Sequence, residues 1–178
     1  MSNGDLPPCR LYLTVPAGIT AAQLASALDG GDVGCVRLEQ PEDALRDAVH
    51  ARDIACFSTG EPASGFDGVQ IDTLRGYAAV RGRAGMVGVT ASTRHDAMEA
   101  AEAGADYVAL NTLDLVSWWA DLMEVPCVAE GAETLDAIRA FAAAGADFVA
   151  AGALVWESGQ PREAVASINA AIAAAGRR

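Results

Sequence analysis

Short apolar runs bounded by glycine, proline or aspartate alternate with longer alanine-rich amphipathic stretches along almost the whole chain. Apolar runs of four to six residues read as strands buried on both faces, and stretches of helical period as the crossovers that join them in parallel. Strand candidates fall at Arg10–Val15, Gly34–Glu39, Ile54–Ser58, Gly68–Asp72, Gly85–Thr90, Tyr107–Asn111, Pro126–Glu130 and Phe148–Gly152, eight in all. Helix candidates fall at Thr20–Leu28, Glu42–Ala51, Leu74–Arg81, Thr93–Ala103, Val116–Met123, Thr134–Ala144 and Arg162–Ala175, with Thr20, Thr93 and Thr134 placed to cap their first turns. The crossover Thr59–Asp67 carries Gly60, Pro62 and Gly65 and is too short and broken for a helix.

An internal repeat supports the same reading. The pattern Ala-x-Ala-Gly-Ala-Asp-aromatic-Val-Ala occurs at Ala101–Ala109 and again, 41 residues later, at Ala142–Ala150. In each copy the glycine ends a helix, the aspartate opens the turn and the apolar run is the next strand. Eight strands with right-handed crossovers form either an open doubly wound sheet or a closed barrel. No Gly-x-Gly-x-x-Gly follows the first strand, and the strand count favours closure. The expected architecture is therefore α/β: a single compact (β/α)8 TIM barrel over residues 10–178, preceded by an N-terminal extension over residues 1–9, with the crossover after strand 3 trimmed. Such barrels usually run to roughly 250 residues; at 178 residues every loop here must be short.

Composition removes several functions. The net charge is −12 and all twelve basic residues are arginines. An acidic surface repels nucleic acid, and a chain without lysine cannot form the Schiff base of many barrel aldolases. Cys9, Cys35, Cys56 and Cys127 are scattered without metal-ligand spacing, so buried, reduced thiols are expected. The N-terminus lacks a basic segment followed by an apolar one, and no apolar run reaches the ~18 residues of a membrane span. A soluble, cytoplasmic protein that binds neither membrane nor nucleic acid, and no nucleotide or flavin cofactor, is the expectation.

In a barrel of this kind the chemistry sits where the strands end at their carboxyl side. Reading those ends gives Thr14, Arg37 and Glu39, Ser58 and Thr59, Gln70 and Asp72, Thr90 and Ser92, Asn111 and Thr112, Glu130 and Gly131, and Ala151 and Gly152. Arg37 and Glu39 are two apart on one strand and are expected to share a facing, with an ion pair to each other or to a neighbour. The loops after strands 7 and 8, Glu130–Thr134 and Ala151–Leu154, lie where such barrels cradle a phosphate on main-chain N–H groups. Of the adjacent Trp118 and Trp119, one is expected in the core. Exposure of the other would mark an oligomer interface, and Trp156 is a further candidate for a pocket or contact.

The motifs resemble those of the thiamine phosphate synthase family from Arg10 to about Ala174. Leu11-Tyr12-Leu13-Thr14 is similar to the family's first strand, Gly68-Val69-Gln70-Ile71 to its Gly-Val-His-Leu, and Val87-Gly88-Val89-Thr90 to its Ile-Gly-Val-Ser. Gly104-Ala105-Asp106-Tyr107-Val108 matches its Gly-Ala-Asp-Tyr-Val. Pro126-Cys127-Val128-Ala129-Glu130-Gly131 resembles its Pro-Val-Val-Ala-Ile-Gly-Gly, and Gly145–Ala150 resembles its eighth strand. The resemblance implies coupling of a pyrimidine diphosphate to a thiazole phosphate, with pyrophosphate leaving from magnesium.

Departures cluster at the diphosphate positions. The family's Gln-x-Arg-x-Lys reads Cys35-Val36-Arg37-Leu38-Glu39, its Asn-Asp reads Ser58-Thr59, its Gly-Gln-x-Asp reads Asp72-Thr73-Leu74-Arg75, and its Thr-x-Thr-Lys loop has no counterpart in Asn111–Trp118. On this basis the catalytic candidates are Arg37, Glu39 and Asp72, with Asp72 or Glu39 as magnesium ligand and Arg75 as a substitute diphosphate contact. The ligand-binding candidates are Arg37, Gln70, Thr90, Glu130, Gly131, Ala151 and Gly152. Three readings stay open: the family's transferase reaction, a noncatalytic role binding a phosphorylated molecule, and an isomerase-like or lyase-like activity with Glu39, Asp72 or Glu130 as base; in each a homodimer is expected.

Overall fold

A computed structural model describes residues 7–176. Of the extension expected over residues 1–9, residues 1–6 lie outside that range, as do residues 177 and 178 of the barrel. The strands are β1 (Arg10–Val15), β2 (Val33–Leu38), β3 (Ala55–Thr59), β4 (Gly68–Ile71), β5 (Met86–Ala91), β6 (Tyr107–Leu110), β7 (Cys127–Ala129) and β8 (Phe148–Ala151). Each pairs in parallel with the next, and β8 pairs with β1, so the sheet closes.

Around it run α1 (Ala21–Leu28), α2 (Asp43–His50), α3 (Tyr77–Arg81, entered through a 3-10 turn at Leu74–Gly76), α4 (Arg94–Glu102), α5 (Leu113–Leu122), α6 (Leu135–Ala143), α7 (Ala153–Trp156) and α8 (Pro161–Ala175). Thr20, Thr93 and Thr134 each accept the main-chain N–H three residues on, as their spacing predicts. Helix α5 starts three residues ahead of the expected Val116 because Thr112 caps it by accepting from Leu115 N. No helix joins β3 to β4, which is the trimmed crossover. Among the described residues no helix is long and apolar enough to cross a membrane.

Alternation along each strand divides the apolar residues into two sets. Outward-facing Leu11, Leu13, Val36, Leu38, Val69, Val87, Val89, Val108, Leu110 and Val149 pack under the helices. Inward-facing Tyr12, Cys35, Phe57, Tyr107, Ala109, Val128 and Ala150 fill the bore. Aromatic rings fit so narrow a bore because glycines stand opposite them. Phe57 pairs with Gly68 and Tyr107 with Gly88 in the strand register. A Cβ on Gly68 would lie 2.7 Å from the Phe57 ring, and one on Gly34 would lie 2.6 Å from that of Phe148. Below the three packed rings of Tyr12, Phe57 and Tyr107, with centroids 5.8–6.2 Å apart, a cavity of about 190 Å³ opens toward the amino ends of the strands.

The repeat also acquires a physical role. Asp106 and Asp147 each precede an even-numbered strand, and their side chains accept the main-chain N–H of Val87 and Cys127 on the strand before. Asp67 does the same to Cys56. Gly65-Phe66-Asp67-Gly68-Val69 is thus a third, diverged copy, and its glycine shares the positive φ of Gly104 and Gly145.

Candidate functional site at the carboxyl mouth

Inward-facing residues one step above the aromatic layer form a connected polar cluster. Arg37 on β2 donates from Nη1 to Glu130 Oε1 at 2.9 Å, across the bore from the end of β7. Gln70 on β4 donates from Nε2 to the same oxygen at 2.9 Å and to Thr90 Oγ1 on β5 at 3.1 Å. On its other side Gln70 Oε1 lies 3.1 Å from the Tyr12 hydroxyl and 3.2 Å from that of Tyr107, and the two hydroxyls lie 2.9 Å apart. Two hydroxyl protons therefore serve three contacts. Arg37 also lies over the Tyr12 ring, 5.8 Å from its centroid.

Burial and charge act together here. Gln70 is 2% exposed, while the side chains of Arg37 and Glu130 keep 16% and 21% of their surface open. Burial works against the charge on Arg37, but Tyr12, Glu130 and Tyr107 outweigh it and hold its pKa above the ordinary value. Burial, with Tyr107 and Cys35 adding to it, pushes the Tyr12 phenol well up against the opposing pull of Arg37. The phenols are thus neutral hydrogen-bonding groups. One atom is left over: Arg37 Nε is buried without a hydrogen-bond partner.

The loops after β7 and β8 complete the mouth. Gly131 follows Glu130 with φ of 87°, a conformation costly for other residues. Gly152 is pressed against β1, where a Cβ would come within 2.2 Å of Thr14 Oγ1. Directly after it comes the short helix α7. Its four residues are too few to show a period in the sequence. Trp156 fixes it in place by donating Nε1 to Thr14 O at 2.7 Å. The first main-chain N–H groups of α7, on Ala153 and Leu154, have no acceptor within their own helix.

Other sequence candidates lie apart from this cluster. Glu39 and Asp72 come just after β2 and β4 and are exposed; the partner of Arg37 is Glu130 and not Glu39. Ser58 and Thr59, where the family places Asn-Asp, are bound locally to Glu61 O and Leu38 O. Arg75 is exposed on the 3-10 turn before α3. Trp119 is 1% exposed and donates to Val125 O, while Trp118 is half-buried under Arg94. A magnesium ion needs several oxygen ligands in octahedral array. Among the described residues no three His, Cys, Asp or Glu side chains come together.

Fold and mouth together define a closed (β/α)8 barrel whose strand ends converge on an arginine–carboxylate pair. No family model matches the sequence. A thiamine-phosphate synthase of Rhodospirillum centenum is 39% identical, the match covering 90% of this chain and 96% of the relative. One of Hyphomonas neptunium is 31% identical, over 92% and 94%. A solved thiamine phosphate pyrophosphorylase from Pyrococcus furiosus has the same fold, with a TM-score of 0.80 at 17% identity over 93% of this chain and 96% of that one. The chain belongs to the thiamine-phosphate synthase family.

Proposed function

We propose that the carboxyl mouth binds a small phosphorylated molecule, with Arg37 as the cation and the loops after β7 and β8 supplying main-chain N–H groups. The carrying observation is the state of Arg37, held at the centre of the mouth with its buried Nε–H unpaired. An unpaired buried donor costs about 1–3 kcal/mol, and a planar guanidinium gains from turning onto an oxyanion that offers several acceptors. Gly131, Gly152 and the start of α7 support the same ligand, since glycine lets the main chain approach an anion closely.

The family's coupling reaction is the second reading, favoured by 39% identity along nearly the whole chain. Against it stand the acid at Glu39, the local hydrogen bonds of Ser58 and Thr59, and the pairing of Arg37 with Glu130. Thermal-shift titration with thiazole phosphate, pyrophosphate and sugar phosphates, with and without magnesium, tests the binding proposal. At least one of these compounds is expected to raise Tm, and Arg37→Gln is expected to abolish the shift. No shift with any of them would refute it. Formation of thiamine phosphate from both substrates and magnesium, at a rate matching a family enzyme, would establish the second reading.

A further inference from the structure

We infer that Glu130 is a resident counter-ion that sets the anion affinity and ligand class of the mouth; the inference rests on the phosphate-binding reading above. Glu130 is held by more than its own side chain. Its N–H donates to Leu110 O at 2.8 Å, which extends the β6–β7 ladder by one residue and points the carboxylate across the bore to Arg37. Gln70 then fixes the carboxylate from a third strand, on the oxygen already taken by Arg37. The second oxygen, Oε2, makes no hydrogen bond in the cluster.

Architecture alone does not call for an acid here. Tyr12, Gln70 and Tyr107 already seal the bore beneath it, and both members of the pair keep contact with solvent. The ion pair cancels the charge of Arg37, and the nearby loops after β2, β4 and β7 add the exposed acids Glu39, Asp72 and Glu133. An incoming phosphate must therefore take Arg37 from Glu130. A singly charged or weakly basic anion does so poorly, whereas a phosphate ester offers two charges and a bidentate edge.

Once Arg37 has turned, Glu130 is a partly buried carboxylate left with Gln70 as its one side-chain donor. The ligand that satisfies both groups is a phosphate ester that also carries a hydroxyl or amino donor. Inorganic anions lacking that donor bind weakly to the native chain.

The test is calorimetric titration of the full-length protein with inorganic pyrophosphate at fixed ionic strength. E130Q keeps the shape of the side chain and its bonds to Arg37 and Gln70 while removing the charge, and E133Q removes an equal charge from the exposed loop beside it. E130Q is expected to bind pyrophosphate about tenfold more tightly than the native chain, the order of one charge-assisted contact. E133Q should change the affinity less than about twofold, and adding R37Q to E130Q should erase the gain.

Equal gains in E130Q and E133Q would overturn the inference in favour of net charge alone. Unchanged or weaker binding by E130Q, with the native chain still binding, would overturn it and leave the phosphate reading standing. Absence of binding by every variant, with unfolding midpoints unchanged, would overturn that reading and the inference with it.

Discussion

Replacing Gly88 by alanine should destabilise the barrel through one identifiable collision. A Cβ at Gly88 would lie 2.0 Å from Cζ, 2.3 Å from Cε2 and 2.5 Å from Cε1 of Tyr107, against ordinary contacts of 3.4 Å or more, so the ring must retreat by more than an ångström. Tyr12 and Phe57 stand in its way, with centroids 6.1 and 5.8 Å from its own, and its hydroxyl is tied to Tyr12 and Gln70.

Overpacking of this kind costs about 1–3 kcal/mol and the displaced hydrogen bonds about 1 kcal/mol each. The restricted unfolded chain returns about 0.4–1 kcal/mol. A net loss of about 2–4 kcal/mol is expected, a large share of the ~5–15 kcal/mol of an ordinary domain. Urea unfolding followed by tryptophan fluorescence and circular dichroism measures it.

Tyr107→Ala alone should cost about 3–5 kcal/mol by leaving a void. In the double variant the new methyl occupies part of that void, so the combined loss should fall short of the sum by about 2 kcal/mol. Additivity within about 0.5 kcal/mol would refute the reasoning, because the ring would then not be the obstacle. Gly68→Ala is the contrasting case. The nearest atom to its Cβ is the main-chain oxygen of Met86 at 2.5 Å, so truncating Phe57 should not rescue it.

Two further outcomes are expected. Burial raises the thiol of Cys56 to about 12 and carries Cys35, Tyr12 and Tyr107 upward as well, so these groups stay neutral in the fold while the unfolded chain ionises. Their contribution is complete below the unfolded thiol pKa of about 8.5 and is lost as pH rises from there toward the folded values. The slope is up to about 1.4 kcal/mol per pH unit for each group, and a urea midpoint flat from pH 7 to 10.5 would contradict it. Trp156→Phe removes the anchor from α7 to Thr14 O and should cost about 1 kcal/mol of stability. It should also weaken binding of whichever phosphorylated compound stabilises the native chain, and unchanged affinity by titration would show that α7 has no part in the site.

The barrel was legible in the sequence because strands buried on both faces are continuous apolar runs, and each expected run overlaps an observed strand to within about two residues at either end. What escaped was whatever lacked a period. Helix α7 has four residues, and the third copy of the repeat keeps only its glycine, aspartate and valine.

Arg37, Gln70, Thr90 and Glu130 were identifiable one by one as strand-end polar residues, and closure of the bore brought them into one cluster. Tyr12 and Tyr107 were read only as parts of apolar strand motifs. A signal was present, since a phenol facing inward among apolar neighbours needs a partner, and Tyr12 lies two residues below the polar Thr14 on its own strand. Glu39 and Asp72 obey the same parity as Arg37 and Gln70, but they lie past the last paired residue, where alternation no longer dictates direction.

The aspartates at the amino ends carry a consequence for how the ring is put together. Asp67 joins β4 to β3, Asp106 joins β6 to β5, Asp147 joins β8 to β7, and Asp32, ahead of β2, reaches Arg10 on β1 through an ion pair. Every clasp falls inside a consecutive pair of strands and none across the seam to the next pair. The barrel is thus a hoop of four two-stranded staves, and a cut in the exposed turn at Gly82 and Arg83 would fall between staves and leave every clasp whole.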